Sequence, residues 1–300
     1  ELDSSISGGS NNLASGWYSS ITGGYFNTAS GSHSSVSGGT DNQSAGNRSS
    51  VSGGWYNSAD GYLSSISGGR HNTTTSDYAS VSGGENNKAS GESSSVSGGT
   101  ENEASGSHSV ISGGKYNTSS GTAAIVSGGT NNTAGHDFAS VSGGQYNTAS
   151  GQGSSISGGL NNRATAENAS VSGGAANVAS GFYSAVSGGR ANFAMGEFSS
   201  VSGGHLNRAT GYAATVSAGQ NNVSSGAYAS VLGGGSDNPD FGNHAYANYS
   251  AILGGIYNRT GSNNTELDPD HTQGERSTIS GGDTNIATGT SSTVSGGVSN

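Results

Sequence analysis

The chain has no cysteine, two prolines, one methionine and only nine lysines and arginines in 300 residues. Without cysteine there is no disulfide and no thiolate chemistry, and the redox state of the compartment leaves no trace. Nine basic residues against nineteen acidic ones give a formal charge of −10, with no basic stripe, which argues against binding a nucleic-acid backbone. No apolar run approaches the ~20 residues a membrane-spanning helix needs, and no signal peptide is recognisable. Apolar residues make up 29% of the chain, too few for a large conventional core. Glycine is plentiful, at 56 residues, and in an aperiodic chain this would read as disorder.

Periodicity decides otherwise. A β-branched anchor recurs at Ile6, Ile21, Val36, Val51 and onward to Val231 in unbroken steps of 15 residues. It continues at Ile252, Ile279 and Val294, after steps of 21, 27 and 15. The nineteen anchors define a short unit, and a fixed short period means a stack in which each copy touches only its neighbours. Regular repeats fill residues 1–234. Residues 235–300 continue them with two insertions, at about 235–248 and 262–277, where both prolines fall. Proline is expected outside stacked strands. The chain starts and stops inside a repeat, as a mature form or a fragment of a longer array would.

With the anchor as position 1, the unit reads Val/Ile-Ser-Gly-Gly-x-x-Asn-x-Ala-Ser-Gly-x-x-Ser/Ala-Ser. Glycine, serine and asparagine at this density, with no 3.6-residue pattern, exclude helix. The expectation is an all-β parallel β-roll, or β-solenoid, with 15-residue coils. One strand runs from position 14 to position 2 of the next copy and the other through positions 6–9. The Gly-Gly and Ser-Gly pairs would supply corners with φ > 0.

Strand alternation then assigns faces. Positions 1, 7, 9 and 14 point inward. Position 7 is asparagine in all anchored copies but the one at Val231, where Asp237 precedes Asn238. The column Asn12, Asn27, Asn42, Asn57, Asn72, Asn87, Asn102 and Asn117 is expected to be structural, its amides hydrogen-bonding along the axis. Positions 2 and 15 point outward yet stay uncharged. Where they depart from serine they become residues such as Val110, Ile125, Leu232 or Leu253. A nominal outside that accepts isoleucine and refuses charge is expected to be covered. Another copy of the chain, in a closed three-fold arrangement, is the simplest cover.

The unit Ser-Val-Ser-Gly-Gly-x-x-Asn-x-Ala-Ser-Gly resembles the head repeats of trimeric autotransporter adhesins, over essentially the whole chain and most cleanly over residues 4–236. The resemblance implies a left-handed parallel β-roll, three chains side by side as a homotrimer, and an extracellular position on a cell surface. The implied partners are a host or matrix protein or a surface glycan. The doubled glycine, the asparagine column and the 15-residue period depart from the commonest form of that family, which is one residue shorter. The family's neck, coiled-coil stalk and membrane-anchor barrel have no counterpart in these residues. Similar repeats would also serve in a phage or injection-system tail fibre, or in a self-assembling extracellular filament with a purely structural role.

Nothing in the sequence assembles a catalytic set. The seven histidines are dispersed, none at metal-ligand spacing with another. Serine is everywhere, so serine near histidine carries no information. The Gly-Gly turns lead into no helix and are not phosphate loops. The expectation is a non-enzymatic protein with no cofactor. Recognition is expected on the insertions and on exposed aromatics, with Trp17, Trp55, Tyr56, Phe241 and Tyr246 as candidate ligand contacts. Glu266, Asp268 and Asp270 are weak candidates for a metal through hard oxygens, set against an ordinary solvated acidic loop. Among the Asn-x-Ser/Thr sequons, Asn47 and Asn168 lie on exposed columns and are the better candidates for glycosylation.

Overall fold

Each coil is held by hydrogen bonds to the coils before and after it. In the computed structural model, which describes residues 3–262 and 271–300, the coil beginning at Val51 shows the pattern. The backbone N–H groups of Ser50, Ser52, Trp55, Ser58 and Asp60 donate forward to carbonyls 14 residues on, at 2.8–3.0 Å. Those of Tyr56 and Leu63 donate backward, to Thr40 at 3.1 Å and Asn47 at 3.0 Å. The Ser64 N–H closes a tight turn onto the Gly61 carbonyl at 3.2 Å. Backbone groups at the corners are thereby paired like those in the strands.

The result is a parallel β-solenoid with 15-residue coils and about 19 turns. The chain divides into two units, Glu1–Tyr146 and Asn147–Asn300. In each, the strands at positions 15–1 form one parallel ladder and those at positions 8–9 another. Ser50–Val51 pairs with Ser65–Ile66, and Ser58–Ala59 with Thr73–Thr74. Single-residue bridges at position 5, such as Trp55 to Arg70, form a third line.

The strands are shorter than the alternation suggested, two residues each. The backbone is left-handed at positions 6 and 13, two residues before each strand begins, as at Tyr56 (φ 55°) and Arg48 (φ 58°). These residues are not glycines, and each such φ costs about 1–2 kcal/mol. Their N–H groups are the ones that donate backward, which holds the conformation in place.

The glycines therefore act differently from the expectation. Before the last two coils only the second of the Gly-Gly pair has positive φ, as at Gly54 (φ 93°). The first is open: a Cβ on Gly53 would meet nothing within 4 Å. Position 11 has no left-handed φ in regular coils. There, glycine allows close approach, since a Cβ on Gly46 would collide with the Gly61 carbonyl. At such a glycine the next coil lies too close for a side chain, although Ser76, His136, Ala166 and Ala247 take the same position in other coils.

The core is a thin column of positions 1, 7, 9 and 14. Val51, Asn57, Ala59 and Ser64 are all buried. Several position-14 hydroxyls, among them Ser34, Ser64, Ser109, Ser154 and Ser199, are buried with no hydrogen-bond partner. At other coils alanine takes the same place (Ala79, Ala124, Ala214).

Both insertions are narrower than the sequence boundaries suggested. Gly235 keeps the position-5 bridge with Gln220, and His244–Ala245 keeps the register with Val223–Ser224. The first insertion is therefore 236–241, with a single 3-10 turn at Pro239–Phe241. Asn243 then takes position 7, so the asparagine column is unbroken and Asp237 and Asn238 belong to the loop. The second insertion lies between Gly261 and Gly274, because Ser277 N–H closes the usual turn onto the Gly274 carbonyl at 2.9 Å.

Candidate functional site

The asparagine column is a structural device built from side chain to backbone. Asn102 Nδ2 donates to the carbonyls of Gly98 at 3.0 Å and Gly114 at 2.9 Å. Its Oδ1 accepts the backbone N–H of Asn117 at 3.0 Å. The amide thus serves three corner groups, one of which, the Gly114 carbonyl, also accepts the Thr100 N–H, and this needs two donors and an acceptor on a short arm. The expected amide-to-amide contact is the minor component, seen for example from Asn57 Nδ2 to Asn42 Oδ1 at 3.1 Å. Asn12, at the outermost coil, makes the same donations to Gly8 and Gly24, both at 3.1 Å. Asn27, Asn42, Asn72 and Asn87 repeat the pattern.

The uncharged face is exposed on the single chain. Ile125 is 43% exposed and pairs in register with the half-buried Val110 in the first unit. Leu232 and Leu253, 48% and 45% exposed, sit at position 2 of consecutive coils in the second.

Aromatic rings collect on the corners. In the first unit Trp17, Tyr18 and His33 cluster, with centroids 5.8 and 5.1 Å apart. Trp55 lies 5.4 Å from Tyr56, which stacks on His71 at 5.1 Å and 3°. In the second unit the rings join into one row. It runs Phe182, Tyr183, Phe198, Tyr212, Tyr228, Tyr249, with successive centroids 4.4, 5.5, 5.6, 5.4 and 5.1 Å apart. All six are 39–53% exposed. The Arg276 guanidinium lies over the Tyr249 ring at 5.8 Å. Tyr249 escapes a count of 15s because the first insertion displaces it, yet it occupies position 13 of its coil.

The first insertion builds a recess of about 320 Å³ against the solenoid, lined by residues that include Asp240, His244, Tyr246, Tyr257, Arg259 and Ile286. Asn221 Nδ2 holds the base of the loop through the Ser236 carbonyl at 2.7 Å, and Asn238 Oδ1 caps the Asp240 N–H at 3.0 Å. Phe241 packs edge-on against Tyr257 at 5.3 Å and 87°. Its carbonyl accepts the Tyr257 N–H at 3.0 Å, the bond that position 5 makes elsewhere. Coil register sets His244 beside Arg259, and Arg259 beside Ile286. His244 Nδ1 meets the Tyr246 hydroxyl at 2.6 Å. Burial, then the nearby Arg259 charge, holds the His244 imidazole below its ordinary pKa. Burial also pushes the Tyr246 phenol up.

Of the residues singled out from sequence, Phe241 and Tyr246 meet this loop and recess, whereas Trp17, Trp55 and Tyr56 belong to the first unit. Arg259 was missed, because it occupies an ordinary variable column and only the coil register brings it to His244. Asn47 is exposed, its Oδ1 accepting the Ser32 N–H at 3.1 Å. Asn168 is half-buried, with a left-handed backbone (φ 54°). Glu266, Asp268 and Asp270 lie outside the described residues. Among the described residues no group of three or more His, Cys, Asp or Glu is placed to hold a metal ion, and no helix is long and apolar enough to cross a membrane. No protein-family model matches the chain, and no curated protein matches it.

Proposed function

We propose that this chain is a non-enzymatic, extracellular fibre domain that presents corner aromatics and inserted loops for attachment at a cell surface. The row of six exposed rings from Phe182 to Tyr249 is the observation that carries this reading. A monomer gains nothing in its own core from rings at 39–53% exposure. A ligand gains stacking area on a support whose backbone is fixed coil by coil. The ligand is a surface glycan or a host or matrix protein.

The same reading has the chain as a left-handed roll that assembles side by side with two copies of itself through positions 2 and 15. It is supported by the face that carries Ile125 in one unit and Leu232 and Leu253 in the other, without a single charged residue. A closed three-fold arrangement removes that face from water on every subunit.

Two measurements test the proposal. Sedimentation of the purified chain should give a defined trimer that Leu232→Glu with Leu253→Glu dissociates. A monomer at every concentration overturns the assembly, and polymers that lengthen with concentration mark a structural filament instead. Adhesion to glycan- and matrix-coated surfaces should fall at least about tenfold in Tyr212→Ser with Tyr228→Ser, the loss expected for two stacking rings. Adhesion unchanged in that variant, with the fold intact, overturns the attachment role of the row.

A further inference from the structure

We infer that the recess beneath the first insertion is a binding site for a carboxylate-bearing sugar unit of uronate type, with Arg259 as the carboxylate anchor. Arg259 Nε is buried and has no hydrogen-bond partner. Among the described residues the ion pairs are Arg70–Glu85, Lys88–Glu103 and Arg276–Glu275, and Arg259 is in none of them. Six of the nine basic residues are in none of these ion pairs, but Arg259 alone among the basic residues has a buried nitrogen without a partner. A buried N–H on the planar edge of a guanidinium is costly unless something supplies an acceptor. The group that matches that planar edge with two parallel hydrogen bonds is a carboxylate.

The remaining lining describes the body of the ligand. Asp240 accepts hydroxyls, the Tyr246 hydroxyl can donate or accept, and the Thr284 hydroxyl, which donates to Asp283 at 2.7 Å, can accept. Tyr257 and Ile286 present apolar surface to the C–H face of a ring. The volume, about 320 Å³, lies at the small end of ligand pockets, which run from roughly 300 to 1,000 Å³. That suits a single sugar unit. Asp240 on the rim disfavours a compact dianion such as phosphate, which offers no hydroxyls to satisfy it. The loop that closes the recess is pinned by Asn221 and by the Phe241–Tyr257 contact, so the site is formed before any ligand arrives.

This inference deepens the attachment reading by naming the ligand class at one place on the surface. The test is a titration of sodium glucuronate, with glucose as the uncharged control, into the full chain. It is followed by calorimetry and by the Arg259 Nε–H resonance, identified by its loss in Arg259→Lys. Glucuronate should move that resonance saturably and bind at least about tenfold tighter than glucose, the ratio expected of a charge-assisted pair. Arg259→Gln should remove the preference while the thermal transition stays in place. Three results overturn the site: equal affinity for the two sugars, an unmoved resonance in the unaltered chain at saturating glucuronate, or full affinity in a folded Arg259→Gln. Absence of uronate binding in the unaltered chain, with its adhesion intact, would sink this site alone. Loss of adhesion in the Tyr212 and Tyr228 variants, with uronate binding retained, would concern the row alone.

Discussion

Asn87 Oδ1 accepts the backbone N–H of Asn102 at 3.0 Å, and Asn102 Oδ1 accepts that of Asn117 at the same distance. Each amide is therefore both held by one coil and used to hold the next. Replacing Asn102 by alanine strands the Asn117 N–H and the Gly98 carbonyl, while the Gly114 carbonyl keeps the Thr100 N–H at 3.0 Å. At about 1 kcal/mol or more per stranded group, the loss is about 2–4 kcal/mol. Asn102→Asp should be worse, since it turns a donor into a charge facing two carbonyl oxygens. Amide hydrogen exchange, compared between coils near residue 102 and distant ones, should show protection lost locally first. Uniform protection in either variant would contradict the role given to the column.

Two neighbouring glycines should respond in opposite ways. Gly98 has open space where a Cβ would go, and Ala218 already occupies the equivalent place in another coil. Gly98→Ala should change stability by less than about 1 kcal/mol, in either direction. Gly99 has φ +90°, and its Cβ would lie 2.9 Å from the Gly114 nitrogen and against the Gly114 carbonyl. Gly99→Ala should cost about 3 kcal/mol or more, from strain and overpacking together. Thermal melts of the pair decide the matter, and similar midpoints would refute it.

Position 14 offers a second contrast. Ser109 Oγ is buried without a partner, so Ser109→Ala should leave stability unchanged or raise it by up to about 1 kcal/mol. Ser49 Oγ bonds to Ser44 Oγ at 2.6 Å and to the Gly46 carbonyl at 2.7 Å. Ser49→Ala strands the Ser44 hydroxyl and should cost about 1–2 kcal/mol. Denaturant midpoints measured side by side check the order, and a reversed order would show that these hydroxyls are satisfied otherwise.

The His244 imidazole adds a pH dependence with a defined sign. Its folded pKa lies below the ordinary 6.5, chiefly through burial and then through Arg259. The unfolded chain therefore binds a proton first as the pH falls below 6.5. The stability contributed by neutral His244 is complete above that value and is lost as pH drops toward the folded pKa. The imidazolium carries a proton on both ring nitrogens, so Nδ1 can then only donate to the Tyr246 hydroxyl. His244→Gln should flatten the slope of the melting temperature below pH 6.5 relative to the unaltered chain. An unchanged slope would mean that His244 is not what titrates.

Much of the fold was legible because one period repeats through the chain. The 15-residue spacing of Val and Ile gave the coil and the inward columns, and the asparagine column marked a structural position. Corner geometry was not legible. Tyr56, Arg48 and their counterparts are left-handed without being glycine, and composition gives no sign of this, since the backward hydrogen bond that holds them comes from the neighbouring coil. The recess was half legible. Phe241 and Tyr246 stood out as aromatics in an insertion. Arg259 looked like any other variable residue until the register placed it beside His244. The row ending at Tyr249 was hidden for the opposite reason, a six-residue shift that conceals a regular position.

The two insertions leave the coil untouched on either side of them. Six residues enter between Gly235 and Gly242, and Asn243 still reaches back to Asn222 at 3.0 Å. Twelve enter between Gly261 and Gly274, and Asn285 still meets Asn258 at 3.1 Å. New surface can thus be added at one storey of the winding without revising any other. Such a chain evolves by elongation and by embroidery at its rims, because the interior offers almost nothing to vary. Grafting a foreign peptide between His205 and Leu206, the rim equivalent to the first insertion, would use the same tolerance by design.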